Sequence, residues 1–266
     1  MKKNLLWMAG AILTSGLAFT ACSVEDLPLT LDEFVMVNYD FETGTTADYF
    51  ALGKGEAAIV TPEAEGSTGQ AATIIANQDR GDYLNLAGDY TGTVSYTIDM
   101  DLLLQPHSRA CQFAVMAEGA WEADGWNTWL SNWGIFWKNN KTQNHTAFLF
   151  DMEYPTNGQN NVASLMFDID NDANDGGGAY VYSGIEWTFE GNVWYHLNLA
   201  VDVTARTVNW KITTKADGAE QISGTYNVPD GDGILPKGIY ERNGRYNYQP
   251  GAMAIDNVKV VANKWH

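Results

Sequence analysis

The chain has 266 residues and a formal net charge of −18, with 33 acidic against 15 basic side chains. Such a surface repels nucleic acid and anionic headgroups within a Debye length, which excludes nucleic-acid binding and disfavours polyanionic ligands without a local basic patch. Two cysteines exclude a disulfide framework, and the length suits one well-buried domain.

The first element is "MKKNLLWMAGAILTSGLAFTAC", with Lys2 and Lys3, an apolar run from Leu5 to Phe19 and small residues before Cys22. The run is short for a bilayer span and lies at the N-terminus, so residues 1–21 read as a signal peptide. Thr20-Ala21-Cys22 resembles a bacterial lipobox, with Phe19 where a smaller aliphatic is usual. The resemblance implies acylation of Cys22 and a membrane link through lipid alone. The alternative is an ordinary secretory signal cut near Ala21. Cleavage removes two lysines and no acid, moving the formal charge from −18 to −20.

Residues 22–33 carry Glu25, Asp26, Asp32 and Glu33 and no base, and read as a solvated tether. An acidic stretch after a lipid cysteine also resembles the surface-export signal of lipoproteins from Gram-negative glycan degraders, which implies outer-membrane display. With Cys22 acylated, Cys111 has no disulfide partner; in "ACQFAVMA" it reads as a small buried residue. One domain is expected over residues 34–263.

Along that domain apolar residues recur at spacing two. "GTVSYTIDMDLLL" alternates Val94, Tyr96, Ile98 and Met100 with Thr93, Ser95, Thr97 and Asp99. Next comes "WEADGWNTWLSNWGIFW", which holds five of the ten tryptophans. Trp126, Trp129 and Trp133 are spaced as a helical turn, and "NWGIFW" reads as a strand apolar on both faces, with Trp133 or Trp137 in the core. Trp121, Trp126 and Trp129 lie among Glu122, Asp124, Gly125, Asn127 and Thr128. Indoles in a polar loop offer flat apolar faces on which sugar rings stack, with amides and carboxylates beside them for the hydroxyls. The bland alternative is that this loop seals an edge of the fold.

"HTAFLFDMEY" and "VASLMFDID" read as further strands, followed by "DIDNDANDGGGAYVY". Asp170, Asp172 and Asn174 have calcium-loop spacing, but Asp175 and Val181 stand where a helical calcium hand needs Gly and Glu. A looser calcium loop and a plain Asp/Asn/Gly turn both remain open. "VWYHLNLAVDV" and "TVNWKITT" read as paired strands. "KGIYERNGRYNYQ" gathers Tyr240, Arg242, Tyr246 and their neighbours into a basic and aromatic patch, suited to lining a sugar groove. "MAIDNVKVV" is the closing strand. Many short strands between turn signals predict an all-β fold, a two-sheet antiparallel β-sandwich.

"YDFETG", "WTFEGNVWYHLNLAVDVTARTVNWKI" and "PGAMAIDNVKVV" resemble the concanavalin A-like lectin and glucanase superfamily, nearest its laminin G-like members. The resemblance implies a jelly roll whose last strand pairs beside the first. It also implies a structural calcium ion there, matching Asp40, Glu42 and Asp256, where converging carboxylates would need a cation. The fold hosts binders and enzymes alike, so it implies only a glycan-related role. The patch around Tyr240 is similar to the tyrosine-bearing strand of jelly-roll alginate lyases, but that family's arginine-rich strand and Gln-x-His are missing. The superfamily's glucanase strand, Glu-x-Asp-x-x-Glu, is also absent, leaving Glu153, Glu186 and Glu190 as loose candidates for hydrolysis.

The expectation is therefore non-catalytic polysaccharide binding at the cell surface, by Trp121, Trp126, Trp129, Tyr240, Arg242 and Tyr246. A polysaccharide lyase or glycoside hydrolase on the same scaffold is one alternative. The other is an adhesion or assembly subunit docking an outer-membrane glycan-uptake complex.

Overall fold

The computed structural model describes residues 30–50, 57–74, 80–86, 88–104, 111–117, 145–152, 161–170, 179–228, 230, 233–243 and 253–265. In chain order the strands are β1 Leu31–Tyr39, β2 Ala57–Val60, β3 Ala71–Ile74, β4 Arg80–Asn85, β5 Thr93–Leu104, β6 Cys111–Ala117 and β7 His145–Met152. They continue as β8 Val162–Asp170, β9 Ala179–Thr188, β10 Val193–Asp202, β11 Thr207–Thr214, β12 Glu220–Asn227, β13 Pro236–Asn243 and β14 Met253–Trp265. A single turn of helix, α1 Thr46–Tyr49, follows β1.

The strands make two antiparallel sheets, the fold class expected from the period-two pattern. One runs β12-β11-β10-β5-β14-β3-β2 with β1 also on β14; the other runs β4-β13-β6-β7-β8-β9. The last strand pairs beside the first, as the resemblance implied, from Leu31 opposite Trp265 to Tyr39 opposite Val258. Leu31, Asp32 and Glu33, read as the end of the tether, belong to β1 because each has a partner on β14. Backbone pairing with a long strand outweighs their acidic composition.

Alternation fills the space between the sheets. Tyr96, Ile98, Met100, Leu102 and Leu104 of β5 are buried, as are Tyr195, Leu197, Leu199 and Val201 of β10 and Val208, Trp210 and Ile212 of β11. The other sheet supplies Leu84, Val115, Ala163, Trp187 and Ile239 to the same core. Each fully buried large side chain contributes roughly 1.5–3 kcal/mol. Trp187 meets Tyr195 edge-on, centroids 4.8 Å apart, which locks one sheet over the other. The Tyr96 hydroxyl donates to the Ile234 carbonyl at 2.5 Å, a second tie.

The outward face of the larger sheet carries a smaller apolar cluster of Ala71, Leu103, Trp194 and Ala254, with Ala64 against it. Residues 61–70 cover it, and the Trp194 indole donates to the Ser67 hydroxyl at 2.9 Å.

Candidate functional site

Of the expected sugar-binding residues, Tyr240 and Arg242 lie on the smaller sheet. Trp121, Trp126 and Trp129 lie outside the described residues, as do Trp133 and Trp137, but their segment has fixed ends. It leaves β6 at Ala117 and enters β7 at His145, and these strands are neighbours in that sheet. Tyr240 and Arg242 lie on β13, the other neighbour of β6, in register with Ala114 and Gln112. Tyr246 follows β13 outside the described residues.

Register then defines a row across the sheet. Arg242 pairs with Gly81 on one side and Gln112 on the other. Gln112 pairs with Asp151, Asp151 with Ser164, and Ser164 with Glu186. Core positions fix which face this is. Ile239, Val115, Ala163 and Trp187 are buried in the inter-sheet core, and the row positions alternate with them. Glu186 is exposed, as outward placement requires. From β13 to β9 the row crosses five strands, four spacings of about 4.8 Å or roughly 19 Å, every position bearing a hydrogen-bonding residue type. Gln112, Asp151 and Ser164 were missed as site residues because each lies in an ordinary strand sequence; only the pairing register unites them.

The carboxylates expected to hold calcium have other partners. Asp40 is exposed and accepts from the Glu42 backbone N–H at 3.2 Å. Glu42 Oε1 accepts from the Gln70 N–H at 2.8 Å. Asp256 is buried. Its carboxylate accepts from the Asn257 backbone N–H at 2.7 Å and from Asn257 Nδ2 at 3.0 Å. Among the described residues no three Asp, Glu, His or Cys side chains are grouped so as to hold a metal ion.

Positive side chains answer the buried charge instead, on the outward face of the larger sheet. Asp101 is buried and accepts from Lys215 Nζ at 2.7 Å and from Asn257 Nδ2 at 2.8 Å. The His196 ring bridges two carboxylates, Nδ1 to Asp101 at 3.0 Å and Nε2 to Asp99 at 3.2 Å. Hydrogen bonds to Asp101 and then Asp99 hold the His196 pKa up at about 9, against burial, so the ring is charged at neutral pH and donates from both nitrogens. Burial pushes Asp101 up, but its bonds to His196, Lys215 and Asn257 outweigh that and hold it below the usual range. Among the described residues Asp256 has no such cation in contact. Burial, with the Asp101 and Glu42 charges, pushes it up to about 6 against the pull of the Asn257 N–H and Lys215.

This network was also missed, although it leaves a trace: Asp99 and Asp101 alternate with apolar residues in "TIDMDLLL", and His196 does in "WYHLNL". Its chemistry is structural, since each polar group is consumed by another.

No protein-family profile and no curated protein matches the chain. Among solved structures it is similar to the CBM2 module of Lactobacillus casei BL23 phage J-1 evolved Dit, at 7% identity and TM-score 0.48, covering 88% of this chain and 97% of that one. It is similar to lectin II from Ulex europaeus at 9% identity and TM-score 0.42, over 88% of this chain and 98% of that one. A legume lectin-like domain from Entamoeba histolytica aligns at 11% identity and TM-score 0.45, over 87% and 96% of the two chains.

Proposed function

We propose that this protein binds a polysaccharide at the cell surface without cutting it. The sugar chain lies on the outward face of the smaller sheet, along the row from Arg242 to Glu186, with indoles of the 121–137 segment stacking on its rings. The observation that carries this reading is topological. The tryptophan segment lies about a hundred residues before Tyr240 and Arg242, yet it connects β6 to β7, and they lie on β13, the other neighbour of β6. Stacking faces beside a polar row suit a ligand that is apolar on its ring faces and hydroxylated at its edges. Weak affinity per site is offset by many copies on one membrane.

Affinity electrophoresis against neutral and uronic glycans tests the reading. At least one glycan should retard the protein, and Trp126→Ala, Trp129→Ala and Arg242→Ala should each abolish or strongly reduce that retardation. Unretarded migration through the whole panel, or variants that bind as the parent does, would refute it. In the former case, co-purification of a stoichiometric outer-membrane partner would favour the assembly role.

A hydrolytic reading is supported by one feature of the same row. Asp151 and Glu186 stand at one register level two strands apart, a backbone separation of about 10 Å, across which two carboxylates could face one glycosidic bond. Release of reducing ends that Glu186→Gln stops would replace binding by hydrolysis.

Lipid on Cys22 is the proposed anchor, and the outer membrane, facing outward, the proposed location. Support comes from the Thr20-Ala21-Cys22 ending and the acids that follow it.

A further inference from the structure

Among the described residues the exposed large hydrophobic side chains are Leu31, Phe34, Val35 and Trp265, from 40% to 57% exposed. All four lie on the β1–β14 pair. Leu31 faces Trp265 directly across it, and Val35 faces Val261. Leu31, Glu33 and Val35 alternate along one strand, so they share a face, and Trp265 joins them as the partner of Leu31, with Lys259 on the same face of β14 to match Glu33. Phe34 falls on the opposite face, 5.6 Å from the Lys264 ammonium.

The charge here departs from the rest of the chain. From Leu31 to Asn38 and from Lys259 to Trp265, Asp32 and Glu33 are matched by Lys259 and Lys264. A chain carrying a formal −18 thus has a locally neutral margin here. Its position along the chain is the third observation: Leu31 is nine residues beyond Cys22, a reach of at most about 30 Å.

We propose that the Leu31, Val35 and Trp265 face lies against the lipid surface that holds Cys22, with the Trp265 indole at headgroup level. The inference rests on the acylation of Cys22 and goes beyond it by assigning an orientation. Tethering within about 30 Å keeps the local lipid concentration high, so a small patch suffices where it would not bind free in solution. A neutral face is the one an acidic domain can bring close to an anionic membrane. Tryptophan suits the boundary because its body is apolar and its N–H is polar.

The test is hydroxyl-radical footprinting read by mass spectrometry. The acylated full chain in vesicles of phosphatidylethanolamine and phosphatidylglycerol is compared with the Cys22→Ala chain mixed with the same vesicles. Modification of Leu31, Val35 and Trp265 should fall several-fold in the acylated chain, while Tyr226 on β12 stays as reactive as before. Val35→Ser should weaken the protection without changing the fold, because Val35 is 57% exposed. An acylated chain with no protection overturns the orientation and leaves the anchor standing. A residue 22 without acyl mass overturns both. Protection that disappears on dilution of the protein in the bilayer assigns the face to a second copy of the chain and overturns the lipid assignment.

Discussion

Lys215 shows how a single side chain answers a buried charge. It follows β11, and its ammonium reaches the Asp101 carboxylate on β5 while lying 5.2 Å from the Trp194 ring centroid. Lys215→Ala leaves Asp101 buried with His196 as its remaining cation, and should destabilise the domain by roughly 3 kcal/mol, read by urea denaturation. Asp101→Asn in the same background should recover part of the loss. Asp256 predicts the opposite sign. Its folded pKa, about 6, lies above the ordinary 3.8. Its contribution to stability is therefore fully present below pH 3.8 and lost as pH rises through 6. Asp256→Asn should raise the melting temperature relative to the parent at pH 7.5, with the gap closing near pH 4. His196 adds a second loss at higher pH, since its stabilisation is full below 6.5 and disappears as pH rises through about 9. If calcium nevertheless bound Asp256, millimolar calcium would raise the parent's melting temperature over that in chelator, and Asp256→Asn would remove the rise.

At the scale of elements, strands were legible and most of their neighbours were not, the β10–β11 and β1–β14 pairs excepted. The alternation in "GTVSYTIDMDLLL" is the burial alternation of β5, and "VWYHLNLAVDV" with "TVNWKITT" is the β10–β11 hairpin, entered through Asp202, whose carboxylate accepts from the Ala205 N–H at 2.7 Å. Helix α1 went unread because one turn has no apolar period; its trace is Thr45 three residues before Asp48, whose carboxylate accepts from the Thr45 N–H at 2.6 Å. β12 shows what register adds to pattern. Gly224 faces Trp210, and a methyl there would meet indole Cζ2 at 2.6 Å. Gly224→Ala should cost about 1–3 kcal/mol by displacing that buried ring, visible as a lower urea midpoint with an unchanged m-value. No composition argument singles out this glycine among 26.

For the molecule as a whole, composition and period indicate the class, while the proposed glycan-binding face waited for strand order. Tyr240 and Arg242 read as a local patch; pairing turns Arg242 into one end of a row that ends at Glu186 on β9. The carboxylates Asp40, Glu42 and Asp256 were read through a family resemblance, whereas the cations Lys215 and His196, which answer Asp101 and Asp99, lie where no motif predicts them. One feature of the larger sheet reaches back to biogenesis. β14 pairs with β1, β3 and β5, so the seam of that sheet is the last strand made. During synthesis the earlier strands wait for a partner more than two hundred residues away from β1, which makes folding slow and late. Until β14 emerges, β1, β3 and β5 keep unpaired edges, open to wrong partners.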